Sequence, residues 1–63
     1  MKTNYETILD FEFAVQTEIA KITNLDLSDI AECTDMNIGI VSHYYDNNMQ
    51  PIECAKKLIE LSK

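Results

Sequence analysis

The sequence predicts an all-α fold: a compact bundle of about four short helices forming a single small domain over residues 1–63. Three observations carry this. Apolar residues recur at helical spacing in successive segments. Hydrophobic residues make up 46% of the chain and glycine occurs once, as expected of a folded domain rather than a disordered tail. Capping and turn residues bound each periodic segment. A strand over "NIGIVSHYY" is the alternative, since β-branched and aromatic residues favour one there. No other segment offers it a partner strand, so the helix ranks first.

Thr3 with Glu6 three residues later has the pattern of a capping box and places the first helix start there. Ile8, Phe11, Val15, Ile19 and Ile22 then define one apolar face, with Glu6, Asp10 and Lys21 opposite. Leu9, Phe13 and Ala20 form a second stripe, roughly 100° or more from the first. Phe13 is therefore either covered by a later element or left as a contact surface. Thr23 and Asn24 end this helix or begin the next turn. A second helix is expected from Leu27 to Thr34, capped by Asp26 or Asn24. Leu27, Ile30, Ala31 and Thr34 face inward in it, Asp29 and Glu32 outward. Asp35 to Asn37 reads as a turn. Ile38 to Tyr45 follows as a short third helix, with Ile38, Val41 and either Tyr44 or Tyr45 inward. Gly39 costs that helix about 1 kcal/mol against alanine. "DNNMQ" is a loop, and Pro51 suits the first position of a last helix carrying Ile52, Ala55, Leu58 and Ile59. Glu53 near its start and Lys63 at its end complement its dipole.

Sixty-three residues sit near the lower limit for independent folding, with a correspondingly marginal core. An enzyme-sized cleft would need two chains. The N-terminus lacks a signal-peptide pattern, and no apolar run approaches the roughly 18 residues of a membrane span. A soluble, cytoplasmic protein is expected, in host cytoplasm if the chain is phage-encoded. Cys33 and Cys54 read as reduced, mostly buried thiols.

Charge excludes more than any motif. Eleven acids face five lysines, with no arginine, for a net charge of -6. Residues 1–46 hold nine acids and two lysines, net -7, while residues 47–63 hold two acids and three lysines, net +1. Such a surface repels phosphate backbones and attracts basic patches.

The segment "IAECTDMNIGIVSHYY" resembles a helix-turn-helix, most like that of TetR-type repressors, over residues 27–46. Ile30-Ala31 matches that family's Ile-Ala pair, and Met36 stands in place of its valine. Gly39 and Val41 fill the small and aliphatic positions, and His43-Tyr44-Tyr45 matches the terminal cluster. Independently of that family, a small residue at Ala31 lets two helices approach while Ile30, Met36, Val41 and Tyr44 plug the angle between them. The resemblance implies a DNA-binding regulator, with Asn37, Ser42 and His43 near the bases. The departures are Asp35 where glycine is usual in the turn, Ile40 for a phosphate-touching hydroxyl residue, and Ser42 for a tyrosine.

Charge opposes the DNA reading. DNA binders neutralise on the order of 6–10 phosphates. From Asp26 to Asp46 this chain offers five acids and no lysine or arginine. Without arginine the commonest guanine contact is also missing. Lys56, Lys57 and Lys63 remain as backbone contacts only if the last helix flanks the groove. The expectation is therefore a non-enzymatic protein-binding module whose acidic face comprises Glu6, Asp10, Asp26, Asp29, Glu32, Asp35 and Asp46. Its partner would be a protein with a basic surface. In size and charge it resembles small acidic phage or plasmid inhibitors, including anti-CRISPR and anti-restriction proteins that act as DNA mimics. Leu9, Phe13, Tyr44 and Tyr45 are candidates for an apolar interface, and Leu9 with Phe13 for a homodimer. No catalytic set, metal site or cofactor is expected. His43 is the single histidine, its candidate neighbours are only Ser42, Asp46 and Cys33, and no ligand spacing joins Cys33, Asp35, His43 and Asp46.

Overall fold

A computed structural model describes residues 5–61 as four helices without a strand. These are α1 (Ile8–Thr23), α2 (Leu27–Met36), α3 (Ile38–Asp46) and α4 (Pro51–Leu61). The all-α bundle is therefore the fold, and the third segment is a helix. α1 is the hub, packing most extensively on α4 and also against α2 and α3. The core consists of Phe11, Val15 and Ile19 from α1, Ile30 from α2, Val41 from α3, and Cys54, Ala55 and Leu58 from α4.

α1 begins one turn later than the Thr3–Glu6 box suggests. Its N-cap is Thr7, whose hydroxyl accepts the Asp10 backbone N–H at 3.3 Å. Thr3 lies outside the described residues, and Glu6 precedes the helix. Tertiary contact decides the start. Tyr5 packs edge-on against Phe11, with ring centroids 5.8 Å apart. The Tyr45 hydroxyl donates to the carbonyls of Tyr5 at 3.4 Å and Glu6 at 3.2 Å. Those carbonyls are therefore turned toward α3.

The buried seam of α1 follows the i, i+4 row Phe11–Val15–Ile19, which continues to half-buried Thr23. Ile22 falls to the side of that row and is exposed, contrary to its expected place on the core face. Asn24 closes α1 in the left-handed region at φ 60° and donates its N–H to the Ala20 carbonyl. It thus caps the end of α1, and Asp26 is the N-cap of α2, though its side chain makes no capping bond.

α2 buries Ile30 and Thr34, but Leu27 in its first turn is exposed rather than inward. The expected turn over Asp35 to Asn37 contracts to Asn37. α2 runs on through Met36, and Asn37 accepts the Ile40 and Val41 N–H groups that start α3. Met36 is 79% exposed and does not plug the α2–α3 angle; Ile38 is also exposed. Val41 alone of α3 is fully buried, with Ile40, Tyr44 and Tyr45 packed partly against the core. Tyr44 and Tyr45 thus share the inward position that one of them was expected to take.

α3 ends in a Schellman motif. Asn48, at φ 58°, donates to the Tyr45 carbonyl and Met49 to that of Tyr44. Pro51 then opens α4 as expected, where its missing N–H costs nothing. Glu53 lies in that first turn, while Lys63 is outside the described residues.

Candidate partner-binding surface

All seven carboxylates expected to meet a partner are exposed: Glu6, Asp10, Asp26, Asp29, Glu32, Asp35 and Asp46. None is neutralised by a lysine among the described residues, where the ion pair present is Lys21–Glu18 at 3.8 Å. Four of them follow at every third position from the N-cap of α2 to its last turn: Asp26, Asp29, Glu32 and Asp35. At the 1.5 Å rise of an α-helix each step climbs about 4.5 Å, the four together roughly 13–14 Å. Each step also turns the side chain by about 60°, so the four spread over roughly half of the helix circumference.

The apolar candidates divide. Leu9 and Phe13, one turn apart on α1, are 70% and 64% exposed, so no later element covers them. Tyr44 and Tyr45 are half-buried instead. Tyr45 stacks at a tilt on Phe11, centroids 5.6 Å apart, and ties down the segment before α1, which makes it a fold residue. Tyr44 meets the His43 ring edge-to-face at 5.9 Å.

The residues of the DNA reading sit less favourably. The Asn37 side-chain amide donates to the Cys33 carbonyl at 2.8 Å, so its donor closes the end of α2. Ser42 is half-buried and His43 exposed. Lys56 and Lys57 line a shallow cleft with Glu53 and Glu60, which breaks any positive stripe on α4. Among the described residues no three His, Cys, Asp or Glu side chains are placed to hold a metal ion. Neither cysteine forms a disulfide; Cys54 is buried and Cys33 half-buried. Burial pushes the Cys54 thiol up to about 11. No helix among the described residues is long and apolar enough to cross a membrane.

Glu12 was not legible as special, yet it is the one buried acid among the described residues, 9% exposed, and its Oε2 has no hydrogen-bond partner. It projects from α1 toward the end of α2. Beside it the Gln16 amide donates to the Thr34 hydroxyl at 2.9 Å, and that hydroxyl donates to the Ala31 carbonyl at 2.9 Å. Burial foremost, then the charge of Asp35 and a hydrogen bond shared with it, hold the Glu12 carboxyl above its ordinary range, while Thr34 pulls weakly the other way. Helical geometry held the only signal: Glu12 lies between Phe11 and the Gln16 position on α1, at the edge of the core face.

Comparison with protein-family models, with curated proteins and with solved structures finds no match to this chain.

Proposed function

We propose that the chain is a small acidic, non-enzymatic protein-binding module that presents carboxylates to a basic, nucleic-acid-handling protein as an inhibitor or DNA mimic. The observation that carries this is the set of seven exposed carboxylates without a lysine partner among the described residues. Unpaired exposed charge of one sign steers association with the opposite sign and weakens with salt. The four exposed carboxylates from the α2 N-cap to its last turn support the mimic form of the reading, because like charge concentrated on one element attracts a basic phosphate-binding surface. Leu9 and Phe13 supply a homodimer seam or the apolar part of the contact.

The test is capture from the source cell at low and high salt, with bound protein and nucleic acid both identified. A basic protein released by salt supports the reading. Its loss on the triple change Asp26→Lys, Asp29→Lys and Glu32→Lys, all at exposed positions, places the contact on α2. Recovery of one DNA sequence without a protein replaces the reading with that of a helix-turn-helix regulator. A partner contact without basic side chains overturns mimicry.

A further inference from the structure

Between the last turns of α1, the body of α2 and the second half of α4 lies a cavity of about 100 Å³. Ile19, Ile30 and Leu58 form its buried floor, Cys33 and Ile59 its half-buried wall. Exposed Leu25 and Asp29 stand at its open side. The one hydroxyl in the lining, that of Thr23, already donates to the Ile19 carbonyl at 2.8 Å. A water inside would therefore find few partners, and empty apolar space forfeits dispersion contacts.

We propose that this cavity is the anchor site of the acidic surface. It takes one branched aliphatic side chain of a protein partner, flanked there by lysine or arginine. The volume sets the occupant's size: a cavity of about 150 Å³ holds a benzene ring, so this smaller one suits leucine, isoleucine or valine. The charge sets its neighbours. Asp29 stands at the mouth, with Asp26 and Glu32 three residues to either side on α2, and the chain has no lysine between Lys21 and Lys56. An apolar anchor in a desolvated socket with a charged rim is the common plan of an interface hot spot. The proposal rests on the acidic-module reading and adds to it the partner's chemistry and its place of entry.

The experiment follows the methyl and amide NMR signals of the full chain during titration with four capped pentapeptides: Lys-Lys-Leu-Lys-Lys, Lys-Lys-Gly-Lys-Lys, Glu-Glu-Leu-Glu-Glu and Lys-Lys-Trp-Lys-Lys. The leucine-lysine peptide is expected to give saturable shifts at the methyls of Ile19, Ile30 and Ile59. The other three are expected to bind at least about fivefold more weakly, the equivalent of roughly 1 kcal/mol. Asp29→Lys, at an exposed position, reduces the preference for the lysine peptide over the glutamate one. Cys33→Phe fills the cavity and removes the methyl shifts. Unmoved methyls with the leucine-lysine peptide overturn the proposal, as does an equal response to the glutamate peptide. If the three lysine peptides then shift the Asp26, Asp29 and Glu32 amides alone, the anchor site fails while the acidic-module reading stands.

Discussion

Glu12→Gln should stabilise the protein at neutral pH. The side chain is buried at the α1–α2 contact, one carboxylate oxygen lacks a donor, and Asp35 adds a second negative charge beside it. An unsatisfied buried polar atom costs about 1–3 kcal/mol. Only one oxygen is unpartnered and Asp35 is solvent-screened, so the lower end applies, about 1 kcal/mol. Glutamine keeps the shape, removes the charge and brings an amide able to donate to Asp35. For a domain of this size the gain should raise Tm by roughly 4–8 °C. At a urea m-value of about 1 kcal/mol/M, it should move the midpoint by about 1 M.

The pH dependence gives a sharper check. Because the folded-state pKa of Glu12 is raised, the folded chain holds that proton more tightly than the unfolded chain does. The wild-type contribution is fully present below the ordinary glutamate pKa and is lost as pH rises through the raised value. The advantage of glutamine should therefore be largest at about pH 7 and shrink toward about pH 5. That lower limit stays above the pI of about 4.4, where the protein would lose solubility. Urea denaturation of both proteins across this range decides the matter. A variant less stable than wild type at pH 7, or a difference that does not vary with pH, would refute the account of Glu12.

Gly39→Ala should add about 1 kcal/mol, seen as a raised Tm, because a Cβ there meets nothing within 4 Å and the backbone is helical. Under native conditions a thiol reagent such as DTNB should titrate Cys33 well before Cys54. The latter is buried, its thiol is pushed up to about 11, and it should react only on unfolding. Phe13→Asp should change unfolding stability by no more than about 0.5 kcal/mol, since the ring is exposed. In sedimentation equilibrium the same change should abolish self-association if Leu9 and Phe13 form a homodimer seam; a wild-type mass that is monomeric at every concentration rejects the seam.

The helices were legible where local chemistry and tertiary packing agree. Phe11, Val15 and Ile19 announce their face by spacing alone, and Pro51 marks the start of α4 because nothing competes with it. The start of α1 was not legible. Thr3 with Glu6 and Thr7 with Asp10 are two overlapping capping signals, and the second prevails through Tyr45, some 40 residues away. At Asp35 and Met36 turn propensity yields to continuation of α2, which exposes Met36 and leaves Asn37 as the whole junction. Of the candidate surface, the exposure of the acids could be read from charge and periodicity. The socket beside Asp29 could not, because it forms only where three helices meet.

The dominance of the α1–α4 contact bears on how the chain acquires its structure during synthesis. Those two helices stand at opposite ends of the described sequence, with α2 and α3 emerging between them. Until α4 has been made, Phe11, Val15 and Ile19 lack the surface against which they pack most extensively. Whenever α4 is undocked those apolar residues are exposed, and self-association then competes with folding. A strongly negative chain repels its own copies, and that repulsion protects each molecule over the same interval. The acids thus oppose aggregation of the undocked chain as well as charging the surface of the folded one.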